Sequence, residues 1–143
     1  MINSTRYNDK VINLISEAGL PVSDLSDDNR FHYFCYGEPE SPEGVIILET
    51  FVTYGLLRSL CVKAAKRRKG AGEALVAHLE NCASDLGVTH LFLLTTDTAD
   101  YFKRLNYSET DRKKAPEEIK NSTQFCDLCP SNSVLMMKSL IRE

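Results

Sequence analysis

No apolar run in this 143-residue chain approaches the roughly 18–20 residues needed to span a bilayer. Its opening stretch, MINSTRYNDK, has none of the apolar core of a signal peptide. A cytoplasmic location without a membrane partner is expected. A large excess of one charge is lacking too, since 17 Lys and Arg stand against 20 Asp and Glu for a net charge of −3. A nucleic-acid partner calls for a basic face. Here the basic residues gather between positions 63 and 69 and are outweighed elsewhere, so none is expected. There is no internal repeat and no low-complexity segment. The five cysteines are an odd number in a chain without an export signal, which favours free thiols over a disulfide framework. With 43% hydrophobic residues, a chain of this length buries about two thirds of its unfolded surface. One domain over residues 1–143 is expected.

The most informative stretch is LLRSLCVKAAKRRKGAGEALVAHLENCASDLGVTHLFLLTT, residues 56–96, where an apolar strand runs into a basic, glycine-spaced turn that opens a helix. Such a turn suits phosphate. The first N–H groups of a helix have no intrahelical partner, and its dipole adds about half a positive charge there. Arg67, Arg68, Lys69, Gly70, Ala71, Gly72 and Glu73 occupy that position, with the glycines letting an anion approach the backbone. A Walker loop is excluded because no Lys-Ser or Lys-Thr follows Gly70. The dinucleotide fingerprint is excluded because Gly72 is followed by Glu73, Ala74 and Leu75, without a third glycine.

Around this turn, Val11, Ile12, Leu14, Ile15 and Ala18 follow helical spacing up to Gly19, and a further helical turn is expected near Ser23. Residues 31–36, 44–51 and 56–62 read as a meander of antiparallel strands. Then come a helix over 71–86, a strand over 90–95, a helix over 98–105, another starting near Pro116, and a strand over 134–138. The polar stretch SETDRKKAPEEIKNSTQ reads as loop and helix. The fold class expected is α/β (α+β), a mixed, largely antiparallel sheet flanked by helices.

Arg-x-x-Gly-x-Gly after a strand, followed by HLFLLTT, DTADYFKRLNY and a VLMMK strand, resembles the GNAT superfamily of N-acetyltransferases. The resemblance is closest to small amino-acid N-acetyltransferases associated with arsenic-resistance operons and to the acetyltransferase domain of N-acetylglutamate synthase. FCDLCPSNSVLMMKSL is also similar to the arsenic-resistance group. The resemblance implies an acyltransferase that moves an acetyl group from acetyl-CoA, its co-substrate, to the amine of a small amino-acid-like acceptor within a ternary complex. Acetylation of a protein or polyamine, and a non-catalytic acetyl-CoA sensor, stand as alternatives. The oligomeric state stays open, a homodimer included.

By the same resemblance, the backbone of Leu60, Cys61 and Val62 would hold the acetyl carbonyl and pantetheine arm, and amides from Arg67 to Glu73 the pyrophosphate. Many relatives place a tyrosine four residues before the final glycine of the closing helix. Here those positions are Phe102 and Asn106, while Tyr101 lies about 100° away around the helix and reads as packing. The acid is therefore unassigned, with water able to protonate the departing thiolate. For the base, a water-mediated route through Glu49 or the hydroxyls of Thr95 and Thr96 is expected.

Arg58 interrupts an apolar strand and is costly to bury without an anion. Period-two spacing puts it on the sheet face of Leu56 and Leu60. Two readings stand: a bidentate clamp for an acceptor's carboxylate, phosphinate or arsinate, or a surface-edge arginine paired with Glu49 or another acid. Asn132 and Ser133 would add polar contacts. Cys126 and Cys129 form a Cys-x-x-Cys pair, but no second pair at zinc-site spacing accompanies them, so no metal is expected. Plain thiols and a trivalent-arsenic site remain as readings of that pair. His78 reads as a surface or packing residue.

Overall fold

The computed structural model describes residues 1–66, 70–122 and 133–141. Seven strands form one sheet in the order β1-β2-β3-β4-β5-β7-β6. They are β1 (Ile2–Thr5), β2 (Phe31–Tyr36), β3 (Gly44–Phe51), β4 (Tyr54–Val62), β5 (His90–Thr95), β6 (Ser108–Thr110) and β7 (Val134–Ser139). Every neighbouring pair is antiparallel except β4 and β5, which are parallel. The helices are α1 (Asp9–Glu17), α2 (Ala71–Asp85), α3 (Ala99–Arg104) and α4 (Glu117–Lys120). The expected mixed, largely antiparallel α/β sheet is thus present. Among the described residues no helix is long and apolar enough to cross a membrane.

Local chemistry sets the element ends. Asn8 caps α1 by accepting a hydrogen bond from the Val11 amide at 3.0 Å, and the chain leaves that helix through Gly19 at φ 78°. The expected helical turn near Ser23 is a plain turn, closed by the Leu25 amide on the Val22 carbonyl at 3.1 Å. Two short strands, β1 and β6, were absent from the sequence reading; β6 falls within the stretch read as loop and helix. Both are polar edge strands at opposite ends of the sheet and carry no period-two apolar pattern to announce them.

Apolar side chains cover both faces. One face joins α2 and α3 to the sheet through Leu75, Val76, Leu79, Phe102, Ile46, Leu48 and Leu57. The other packs α1 through Val11, Leu14 and Ile15 against Val45 and Ile47, and α4 through Ile119 against Leu56 and Leu135. This explains why β3 is buried without interruption from Gly44 to Glu49.

Under α2 and α3, Tyr107 donates to a Glu80 oxygen at 2.8 Å, and Lys138 reaches both Glu80 oxygens at 3.0 Å. Burial, then the Glu80 charge, pushes the Tyr107 hydroxyl well above the usual phenol range, and burial pushes Tyr33 up to about 12. An unfolded tyrosine ionises near pH ~10, so above that pH the unfolded chain sheds protons the fold retains. Their contribution is complete below about pH 10 and declines as pH rises toward 12. The urea midpoint should fall over that window, with a flatter slope in Tyr107→Phe. An equal slope in that variant would remove Tyr107 as a source.

Candidate active site

The site begins where two strands part. β4 and β5 pair only from Tyr54–Leu56 to His90–Phe92 and then separate. On its other side β4 carries a bulge: Val45 faces Cys61 and Ile47 faces Arg58, so two steps on β3 match three on β4. The extra residue falls at Ser59, which adopts φ 61°. The bulge changes which side chains share a face. Leu60 and Val62 pack with the α2 side, Cys61 with the α1 side. The period-two expectation that Arg58 and Leu60 share a face is therefore corrected, because one inserted residue inverts the alternation beyond it.

Between the parted strands lies a cleft of about 440 Å³. Leu57, Arg58, Ser59 and Leu60 form one wall; Leu93 to Thr98 and Phe102 form the other; Gly19, Leu20, Pro21 and Ser133 close it. Beyond β4, the chain enters α2 through Gly70 at φ 82°. A Cβ on Gly70 would meet nothing within 4 Å, so the left-handed backbone is the reason for glycine there. At Gly72 the reason is space, since a Cβ would lie 2.5 Å from the Tyr101 hydroxyl oxygen. The amides of Ala71, Gly72 and Glu73 open a helix of 15 residues, a geometry that fits a bound phosphate. Arg67, Arg68 and Lys69 lie outside the described residues, as do Cys126, Cys129 and Asn132.

Arg58 is 2% exposed. Its Nη1 and Nη2 donate to the two Asp24 oxygens at 2.6 Å each, and Nη1 also donates to Glu49 at 3.0 Å. Burial opposes the Arg58 charge, but the two carboxylates outweigh it and hold its pKa above the ordinary value. Its Nε is buried without a hydrogen-bond partner. Asp24 and the Arg30 that shares Glu49 were not anticipated, because 34 residues separate Asp24 from Arg58 and no local pattern links them.

Glu49 does not line the cleft, and its oxygens are taken by Arg58 and by Arg30 Nε at 3.1 Å. It stands as counter-charge to both arginines. The Thr95 hydroxyl accepts from the Thr98 amide at 3.0 Å and pairs with the Thr98 hydroxyl, so it closes the turn into α3. Thr96 stays exposed on the cleft wall. Ser133 lines the cleft, and its Oγ and carbonyl accept from Arg112 at 2.6 and 2.9 Å.

Phe102 stacks edge-on between Tyr101 and Tyr107, with ring centroids 5.1 and 5.7 Å away. Tyr101 does not line the cleft and sits over Gly72, as packing. Asn106 takes φ 74° where the resembled pattern has glycine, a conformation asparagine tolerates. His78 stacks on Phe34 at 5.2 Å.

Residues 7–107 match the sequence profile of the acetyltransferase (GNAT) family. An uncharacterized N-acetyltransferase of Chlorobaculum tepidum is 34% identical over 88 residues, covering 59% of this chain and 54% of that protein. The match thus spans about half of that relative's length. Among solved structures, N-acetylglutamate synthase from Neisseria gonorrhoeae, complexed with coenzyme A and N-acetyl-glutamate, superposes with a TM-score of 0.77 at 21% identity. That match covers 99% of this chain and 36% of the synthase. An aminoglycoside 6'-N-acetyltransferase complexed with coenzyme A gives a TM-score of 0.71 at 15% identity, covering 100% of this chain and 98% of that one. At such identities the structural likenesses establish the fold alone.

Proposed function

Because the chain belongs to the GNAT acetyltransferase family, we propose that it transfers an acetyl group from acetyl-CoA to the amine of a small amino-acid-like acceptor. The observation that carries this reading is the parting of β4 from β5 beyond Leu56 and Phe92, which leaves a cleft beside the strand that feeds the glycine-led helix α2. Backbone near Leu60 to Val62 would take the acetyl carbonyl and pantetheine arm, and the amides of Gly70 to Glu73 the pyrophosphate. The acceptor nitrogen attacks the thioester carbonyl, a C–N bond forms, the C–S bond breaks, and the thiolate leaves to be protonated by water.

Arg58 supports an acceptor bearing a carboxylate. Asp24 occupies the edge formed by its two terminal nitrogens, while Nε is left unpaired. The edge made by Nε and the second hydrogen of Nη2 is the one a ligand carboxylate would satisfy. The solved synthase complexed with N-acetyl-glutamate points the same way. A second reading has its own support. Asp24 and Glu49 already balance Arg58, which suits an amine without a carboxylate, such as a polyamine.

Thiol release from acetyl-CoA separates the two when measured over amino acids, phosphinothricin and arsenic analogues, the corresponding amino-acid amides, polyamines and a lysine peptide. A charged hydrogen-bond pair predicts amino acids about 10–100-fold better than their amides in kcat/KM. Equal rates for acid and amide would remove the carboxylate requirement. Saturable acetyl-CoA binding with no release across the panel would favour a sensor.

A further inference from the structure

Among the described cleft-lining residues the ionisable side chains are Arg58 and Asp97, and Asp97 is the carboxylate. The other acids near this region are engaged or do not line the cleft. Asp24 and Glu49 are held by Arg58, and Asp100 and Glu73, on α3 and α2, are not in the wall.

Asp97 sits just past the carboxyl end of β5, where open α/β sheets receive their ligands. Its turn is closed by the Thr95 hydroxyl on the Thr98 amide at 3.0 Å. Leu56 faces Phe92 at the last paired position. The bulge at Ser59 and Leu60 lies three and four residues further along β4; Thr95 and Thr96 lie equally far along β5, with Asp97 next. Asp97 stands exposed on the β5 side of the cleft, opposite the wall that Leu57 to Leu60 form. Asp97 and the backbone of Leu60 thus line one cleft from its two sides.

We infer that Asp97 is the catalytic carboxylate that binds the acceptor's ammonium group and draws off its proton; this rests on the acetyltransferase reading above. The ammonium gives one proton to the Asp97 carboxylate, directly or through one water, and Asp97 returns it to solvent. The freed nitrogen lone pair forms the C–N bond as the C–S bond breaks, the nitrogen gives its second proton to water, and the thiolate takes a proton from water. The balance is one ammonium and one thioester giving one amide, one thiol and one released proton. Charged groups around Asp97 leave it this role. On β4, Arg58 is neutralised by Asp24 and Glu49; Arg112 is fixed on Ser133; on α3, Lys103 pairs with Glu109 at 3.2 Å, beside Asp100 and Arg104.

The test uses the full chain, acetyl-CoA and the best acceptor from the panel, compared with hydroxylamine, which is already neutral at pH 7. General-base assistance contributes about 100-fold or more. Asp97→Asn should therefore lower kcat/KM about 100-fold at pH 7 for the ammonium acceptor and leave the hydroxylamine rate within about threefold of the parent. The loss should shrink as pH approaches the acceptor's own pKa, and Asp97→Glu should restore part of the rate. Coenzyme A binding, measured by calorimetry, should be unchanged in both variants. Equal pH profiles for the parent and Asp97→Asn, or equal losses with both acceptors, would overturn the role of Asp97 alone. A parent protein that turns over no acceptor would overturn the acetyltransferase reading and this inference together.

Discussion

Replacing Arg58 by methionine is expected to destabilise the fold by about 3–5 kcal/mol, the cost of stranding buried charge. Asp24 and Glu49 would lose the guanidinium that balances them, at side-chain exposures of 8% and 3%. Arg30 would remain on Glu49, but Asp24 has no comparable second cation among the described residues. A drop in the urea midpoint at constant slope is the expected readout. The combination of Arg58→Met with Asp24→Asn and Glu49→Gln should recover most of the loss, since neutralising a whole buried network is often near neutral. A single variant as stable as the parent would show that the cluster is hydrated. The same result bears on function. Lost activity in Arg58→Ala would not by itself identify a carboxylate clamp, because the substitution also removes a brace between the 24–30 segment, β3 and β4. Comparing an amino acid with its amide leaves the brace intact and reads the acceptor directly.

Gly72→Ala is expected to weaken coenzyme A binding by about 10-fold or more, through the 1–3 kcal/mol typical of an overpacked contact (about a factor of ten per 1.4 kcal/mol). The new Cβ would lie 2.5 Å from the Tyr101 hydroxyl oxygen, so either the first turn of α2 or the Tyr101 ring must shift. Movement of that turn displaces the amides proposed to hold the pyrophosphate. Tyr101→Phe removes the colliding atom and leaves Cζ at 3.6 Å, an ordinary contact. The double variant should regain most of the affinity by calorimetric titration. Normal binding by Gly72→Ala, or no recovery in the double variant, would separate the α2 entrance from coenzyme binding. A glycine kept solely for phosphate approach would show no such dependence on Tyr101.

Elements with strong local patterns were legible. Phe31–Tyr36, Gly44–Phe51 and His90–Thr95 form at the bounds their apolar runs announce, and α2 starts at Ala71 as its glycine entrance implies. The strand over 56–62 was read two residues short, since it starts at Tyr54 after a turn in which Val52 takes φ 57°. β1 and β6 depend on hydrogen bonds to β2 and β7 rather than on apolar faces of their own. In the site, the pairing of Arg58 with Glu49 was legible, but it was read for an arginine at the surface edge, whereas Arg58 is buried. Asp24, Arg30 and Arg112 were not legible, because each meets its partner through tertiary contact. Asp97 lay beside the two threonines under consideration, and its place at the carboxyl end of a parallel strand was a usable signal.

By itself the sequence determined the mixed sheet, the glycine-led helix and the family resemblance, because apolar periodicity and glycine spacing are properties of neighbouring residues. The tertiary structure alone decided the use of each polar side chain near the cleft. A single inserted residue in β4 reversed the faces of Leu60 and Cys61. The approach of the 24–30 segment then set Glu49 between Arg58 and Arg30 as their counter-charge, while Asp97 lines the cleft. Register and charge pairing arise between segments distant along the chain, and only folding brings them within the few ångströms over which hydrogen bonds act.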